Sequence, residues 1–212
     1  MNRTWLERPS WEVAPELLGC LLTSTSPEGD VTVELTEVEA YAGEHDPASH
    51  AHRGRNSRNT AMFGEAGHAY VYRSHGIHWC LNVVTGTAGS ASGVLLRAGR
   101  VVAGADLARH RRGDGVPSRS LARGPGCLGQ ALGITLEHYG TDLFAGSLLH
   151  LSPGPIPAQV SVGPRVGVTL APDVPWRWWV TGDPTVSAYR RSPRALPGAG
   201  PPHDGRHPTP SH

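Results

Sequence analysis

Glu37, Glu39 and Tyr41 recur at every second position of Thr36-Glu-Val-Glu-Ala-Tyr-Ala-Gly43. Alternate residues of an extended chain share a face, so two carboxylates and a phenol project together. Val31, Val33 and Leu35 continue that face upstream as an apolar row. The segment therefore leaves a core and ends in acids, an arrangement suited to holding a carboxylate for general-base chemistry. A buried carboxylate is costly unless it is paired or hydrogen-bonded, whereas one at a solvated strand end needs no explanation. Alternation does not decide between these situations, nor does it distinguish Glu37 from Glu39.

Flat side chains gather around the same segment. Tyr41, His50 and Tyr72 come from three separate stretches, and with Asn82 and Arg97 they would make a slot for a flat ligand. An extruded nucleobase needs that environment, stacked on its faces and hydrogen-bonded at its edge. Taken singly, each tyrosine reads equally well as core or rim. His50-Ala-His52 and His75-Gly-Ile-His78, with Cys80 nearby, offer paired imidazoles. Neither pair follows His-Glu-x-x-His or the zinc-deaminase pattern, so no metal and no other cofactor is expected. There is no Gly-x-x-x-x-Gly-Lys-Ser/Thr loop for nucleotide phosphates.

Composition narrows the classes. The 212 residues suffice for one substantial core and one domain, expected over residues 1–191. Gly 27 and Pro 19 predict long loops around modest elements, and the Pro/Gly/His-rich segment 192–212 reads as a disordered tail. No run reaches the roughly 18 apolar residues of a membrane span. The opening Met-Asn-Arg-Thr-Trp-Leu-Glu-Arg has no apolar stretch of the secretory kind. Cys20, Cys80 and Cys127 are odd in number and scattered, which fits a reducing cytoplasm.

The net charge of +1 conceals an asymmetry: residues 1–49 carry ten acids against Arg3 and Arg8. Between Arg97 and Gly129 there are seven arginines (97, 100, 109, 111, 112, 119 and 123) against Asp106 and Asp114. Such a basic tract is the footprint of a polyanion partner, or else a solvated arginine-rich helix surface. All nineteen basic residues are arginine; the chain has no lysine and hence no ordinary Schiff-base amine beyond the Met1 α-amine.

The elements that must position these groups follow from periodicity and punctuation. Val13–Leu21 reads as a short helix with Pro15 in its first turn, Ser24–Asp30 as a turn, and Val31–Ala40 as the acid-bearing strand. Residues 42–66 lack periodicity and read as a long polar loop, a length that usually signals function. His68–Arg73 and Ile77–Val84 read as a hairpin across Ser74-His75-Gly76, with Tyr70 and Tyr72 on one face and His78, Cys80 and Asn82 sharing a face of the second strand. Val94–Ala98 is a further strand carrying Arg97 inward. Val101–Arg112 reads as a helix, and Cys127–Leu132 opens another behind Gly124-Pro125-Gly126. Leu148–Leu151, Val160–Leu170 and Trp176–Gly182 read as strands.

Several of these segments also carry a resemblance. Glu37-Val-Glu-Ala-Tyr-Ala-Gly43, Arg58-Asn-Thr-Ala-Met-Phe63, Tyr70-Val-Tyr72, Gly76-Ile-His-Trp-Cys-Leu-Asn82 and Val94-Leu-Leu-Arg-Ala98 resemble the alkyladenine (3-methyladenine) DNA glycosylase family. Gly124-Pro-Gly-Cys-Leu-Gly-Gln-Ala-Leu132, Gly163-Pro-Arg-Val-Gly-Val168, Glu16-Leu-Leu-Gly19 and Gly182-Asp-Pro-Thr-Val-Ser187 extend it over roughly residues 5–190. The resemblance implies an α/β protein of α+β type, a single domain with a curved, mainly antiparallel sheet flanked by helices. It implies a monomer that binds duplex DNA through the minor groove, and monofunctional excision of 3-methyladenine, 7-methylguanine, hypoxanthine or ethenoadenine.

By the same resemblance Glu39 activates the attacking water and Arg97 helps hold it. Tyr41, His50 and Tyr72 enclose the flipped base, and Asn82 obstructs the exocyclic amine of guanine. His78 lies near the DNA backbone, and His75 takes the place of an intercalating residue that is commonly tyrosine in the family. Arg109, Arg111, Arg112 and Arg119 are the expected phosphate contacts of the basic tract. Two other functions fit parts of the pattern: a damaged-DNA binding module without turnover, and a metal-dependent hydrolase of a small heterocycle. A cytoplasmic location, at the nucleoid in a bacterium, is the expectation.

Overall fold

The strand that carries Glu37, Glu39 and Tyr41 organises the sheet. In the computed structural model, which describes residues 2–196, β2 (Gly29–Tyr41) pairs along most of its length with β5 (Gly93–Ala103). On its other edge it changes partner. β1 (Leu21–Ser26) covers residues 29–34 and β9 (Arg177–Val180) covers residues 37–39. The change coincides with register shifts on either side of Glu37, and such bulges bend a strand and redirect its side chains.

From β5 the sheet continues to β4 (His78–Val84), which forms a hairpin with β3 (Ala69–Ser74). β7 (Leu149–Ser152) lies on the far side of β1, β8 (Val160–Gly163) pairs with β9, and the two-residue β6 (Ala122–Arg123) pairs with β5. Every pairing of the nine described strands is antiparallel. The architecture is a single mixed domain, an antiparallel sheet flanked by helices, as the resemblance implied.

Helices α1 (Arg3–Leu6), α2 (Ser10–Leu17), α3 (Ala105–Arg112) and α4 (Pro125–Leu132) pack around it. α2 buries Val13, Ala14 and Leu17 against β2, and α4 buries Leu128, Ala131 and Leu132 against β4 and β5. With Leu22, Val31, Val33, Leu35, Val38, Leu81 and Leu96 these form one fully buried core, each large aliphatic contributing about 1.5–3 kcal/mol. α4 approaches closely because Gly129 has no side chain: a Cβ there would stand 2.1 Å from the Trp79 carbonyl oxygen.

Several boundaries differ from the sequence reading. The first long helix starts at Ser10 behind Pro9 and ends at Leu17, so Pro15 is interior. Leu18 is already extended and Gly19 has φ +82°, which turns the chain into β1. The expected turn at 24–30 is mostly strand, with Thr23 and Thr32 hydroxyls 2.9 Å apart across the β1–β2 hairpin. The expected helix at 101–112 begins only at Ala105: Val101 and Ala103 pair with Val33 and Thr32, and the left-handed Gly104 separates strand from helix. Strand β8 stops before Pro164, so 164–170 is irregular. Loop 42–66 contains two short 3-10 turns, Gly43–His45 and Thr60–Phe63. Of the expected tail, Ser192–Leu196 is described, with the Leu196 amide bonded to the Thr169 carbonyl; residues 197–212 lie outside the described residues.

Candidate active site

Tyr70, Asn82, Leu95, Glu39 and Arg177 are successive cross-strand partners over β3, β4, β5, β2 and β9. Cross-strand partners share a face, so the row brings the acidic strand and the tyrosine hairpin onto one surface. Arg97 and Tyr72 lie two residues along from this row, and Glu37 and Tyr41 flank Glu39.

Both glutamates are fully buried, and their surroundings separate them. Glu37 Oε1 accepts from Arg97 Nε at 2.8 Å, Arg177 Nε at 2.7 Å and Ser187 Oγ at 2.9 Å, while Oε2 accepts from the Ser187 amide at 2.7 Å. Glu39 Oε1 accepts from the Val166 amide at 2.6 Å and lies 3.3 Å from Arg97 Nη1; its Oε2 accepts from the Tyr41 hydroxyl at 2.9 Å. A carboxylate has about four acceptor positions. Glu37 takes four donors, three of them on Oε1, whereas Glu39 takes three and its Oε2 has the Tyr41 hydroxyl as sole partner among the described residues.

Burial raises the Glu37 carboxyl pKa, yet the charges of Arg97 and Arg177 and the Ser187 amide outweigh it and leave the pKa below the ordinary value. Burial likewise opposes the charge on Arg97, and Glu39 and Glu37 together overcome it, so the guanidinium stays protonated. Glu37 thus pairs with two guanidiniums, whereas Glu39 meets one and retains capacity on Oε2 for another donor such as water.

Tyr41 is held from behind. The Arg165 guanidinium lies 4.7 Å from its ring centroid and 5.3 Å from that of Trp176, and pairs with Asp46 at 2.5 and 3.0 Å. Burial first, then the Glu39 charge, pushes the Tyr41 hydroxyl well above its usual pKa; burial does the same to Tyr72. Both phenols are therefore protonated, and Tyr41 spends its one proton on Glu39. His50 meets the Tyr72 ring edge-on at 4.5 Å and its Nδ1 is 3.1 Å from the Tyr70 hydroxyl. Tyr70 and Tyr72 stack at 5.7 Å, and the Asn82 amide donates to the Tyr70 carbonyl at 3.0 Å.

The β3–β4 turn is open to solvent. His75 and Gly76 have φ +51° and +69°, and His75 through His78 are exposed, Ile77 by 68%. Gly126 in the first turn of α4 lies against His78, since a Cβ there would sit 2.8 Å from the imidazole ring. The pairs His50/His52 and His75/His78 stay apart from Cys80 as ligand sets: among the described residues no group of three His, Cys, Asp or Glu side chains is arranged to hold a metal ion.

The basic tract divides by partner. Arg111 donates to Glu28, Ser26 and the Ala131 carbonyl, and Arg112 to the Leu121 carbonyl, Gln130 and Cys127. Both spend their donors inside the fold. Arg109 pairs with Asp106 at 2.9 Å, and Arg119 is exposed with no ion pair among the described residues. Arg53, Arg55 and Arg58 are also exposed, on the loop that carries His50. That loop is anchored by the buried Asn59, whose Nδ2 donates to the His50 and Gly54 carbonyls at 3.1 and 3.0 Å. These three arginines lie outside the basic tract of 97–129 that the charge count picks out.

The sequence reading gave no role to Asp46, Arg165, Val166, Arg177 or Ser187. Two of the segments they occupy, Gly163-Pro-Arg-Val-Gly-Val168 and Gly182-Asp-Pro-Thr-Val-Ser187, carry no chemical signature of their own. Their contribution arises only when the chain returns more than a hundred residues later to Glu39, Asp46 and Glu37.

Known proteins share this chain's sequence nearly throughout. A family model described as methylpurine-DNA glycosylase matches residues 4–184. A protein of Nocardia farcinica is 54% identical over 195 residues, covering 88% of this chain and 89% of its own length. One from Streptomyces avermitilis is 49% identical over 195 residues (90% and 92% covered), and one from Cutibacterium acnes 50% over 192 residues (87% and 98% covered). Each of the three bears the name "Putative 3-methyladenine DNA glycosylase".

Proposed function

The chain belongs to the methylpurine-DNA glycosylase family, and from that premise we propose that it flips alkylated or deaminated purines out of duplex DNA and excises them with water. A hydrolytic DNA glycosylase acting on alkylated purines is the activity of the family; the substrate range proposed here is 3-methyladenine, 7-methylguanine, hypoxanthine and ethenoadenine. The observation that carries the reading is the Glu39 carboxylate, buried beside Arg97, the Val166 amide and the Tyr41 hydroxyl, with one acceptor position unfilled.

In this mechanism Glu39 accepts a proton from water as the water oxygen bonds to C1′ of the extruded nucleotide. The N-glycosidic bond breaks and its electron pair leaves with the purine nitrogen. Negative charge on Glu39 also stabilises the oxocarbenium character that develops at the sugar. Arg97 offers Nη1 to the same water. Tyr41, His50 and Tyr72 enclose the base, Asn82 stands at its edge, and His75 fills the gap left in the duplex. A cationic 3-methyl- or 7-methylpurine leaves readily, while neutral hypoxanthine draws more on the donors around the pocket.

Glu39→Gln tests the assignment. Loss of a general base costs about 10²–10⁴ in rate, so single-turnover excision should fall by that factor while affinity for lesion-containing duplex stays within about twofold. Near-parental excision by Glu39→Gln would remove Glu39 from the mechanism.

A further inference from the structure

We propose that Glu37 is a positioning residue for excision: it holds Arg97 so that only one nitrogen of the guanidinium faces Glu39. The inference rests on the reading of Glu39 as the base. Arg97 has three contacts fixing its plane. Nε donates to Glu37 Oε1 at 2.8 Å, Nη2 donates to Ser187 Oγ at 3.2 Å, and Nη1 lies 3.3 Å from Glu39 Oε1. With Nε and Nη2 engaged elsewhere, the guanidinium cannot form the two-pronged pair that makes arginine–carboxylate contacts strong. Glu39 thus keeps lone pairs for water instead of giving them to Arg97.

The charges around Glu37 suit this role. Glu37 and Arg97 are nearly inaccessible, with side chains 0% and 7% exposed, and Arg177 supplies a second guanidinium 2.7 Å from the same Glu37 oxygen. Two acids and two arginines therefore balance in one buried cluster, with Ser187 bridging Glu37 to Arg97. Removing the Glu37 charge leaves Glu39 as the only carboxylate of the cluster, and Arg97 turns its free face toward it. Glu37 never touches the nucleotide in this scheme, because its fully buried carboxylate is enclosed by Arg97, Arg177 and the hydroxyl and amide of Ser187.

A purely structural clamp is the competing account, since Glu37 also ties β9 and the Ser187 segment to β2. A double-mutant cycle separates the two. Single-turnover excision of 7-methylguanine, a base labile enough to keep weak variants measurable, is compared for the parent, Glu37→Gln, Arg97→Met and the double variant. Affinity is measured on a duplex containing an uncleavable abasic analogue. Glu37→Gln should slow excision about tenfold to a hundredfold, as misplacement of a reacting group by an ångström does, with affinity within about twofold of the parent. In the Arg97→Met background the same substitution should change the rate by less than about twofold.

Equal losses in both backgrounds, or a parental rate for Glu37→Gln, would overturn the positioning role. If Glu37→Gln does not fold, Ser187→Ala with and without Arg97→Met carries the comparison, with an expected loss of about two- to tenfold from one hydrogen bond that vanishes beside Arg97→Met. Glu39→Gln is assayed alongside: an active Glu39→Gln overturns the reading of the base itself, whereas an inactive one beside a fully active Glu37→Gln overturns the positioning role alone.

Discussion

At the scale of single residues, two glutamates of the same strand face have different surroundings. Period-two alternation reveals that Glu37 and Glu39 share a face, because that follows from backbone geometry alone. It cannot reveal which is held by two arginines, since the partners that distinguish them, Arg177 and Ser187, lie 140 and 150 residues further along. Glu37 has a stability signature of its own. Its folded pKa is depressed, so the stability it contributes is complete above the unfolded value of 4.5 and is lost as pH falls through the folded value. Breaking one partner of a buried ion pair costs about 3–5 kcal/mol. Denaturant titration should show Glu37→Gln less stable than the parent by that order at pH 7, with the difference shrinking below pH 4.5. A difference that stays constant with pH would show that the carboxylate charge contributes nothing to folding.

At the scale of elements, β2, β3, β4 and β9 lie where alternation predicts strands, whereas β1 falls across an expected helix end and turn and the end of β5 across an expected helix. Val101 to Ala103 continue β5 although the segment has helical spacing, because Val101 and Ala103 pair with Val33 and Thr32 of β2; the helix waits for Gly104. The hairpin that carries His75 was legible from Ser74-His75-Gly76, and its left-handed backbone at His75 and Gly76 explains why the tip projects. A projecting ring serves as a wedge by offsetting unstacking, which costs a few kcal/mol and least for a mismatched or damaged base. His75→Ala should therefore slow excision of a stably paired lesion more than of the same lesion in a mismatch. His75→Tyr, with more stacking area, should narrow the gap between the two substrates. Parallel excision assays on the two duplexes check both, and equal losses from His75→Ala would reduce His75 to a turn residue.

On the scale of the whole molecule, a charge count along the sequence misjudges which arginines face outward. Arg111 and Arg112 lie in the densest basic run yet hold α3 to α4 and the β1–β2 turn through internal acceptors. Arg119, Arg53, Arg55 and Arg58 are exposed and make no ion pair among the described residues. Counterion release gives a slope near −0.9 in log affinity against log salt for each phosphate neutralised. A salt series should show several such contacts, and Arg119→Gln should reduce the slope by about 1. Arg112→Gln should leave the slope unchanged and lower thermal stability instead. A flat dependence on salt would contradict a DNA-facing basic surface.

The same molecule-wide view of composition fixes the product. Strand cleavage by a bifunctional glycosylase requires an amine that attacks the sugar carbon and forms an imine, and none of the 212 residues is lysine. Every buried cation beside Glu39 and Glu37 is arginine, whose guanidinium stays protonated and is no nucleophile. The remaining primary amine of the sequence is the α-amine of Met1. With water as the proposed nucleophile, the expected products are free base and an intact strand with an abasic site. Borohydride reduction during turnover of a hypoxanthine-containing duplex should trap no covalent protein–DNA adduct above the level seen with Glu39→Gln. An adduct that depends on Glu39 would establish an imine after all, and acetylating the N-terminal amine would then show whether Met1 had formed it.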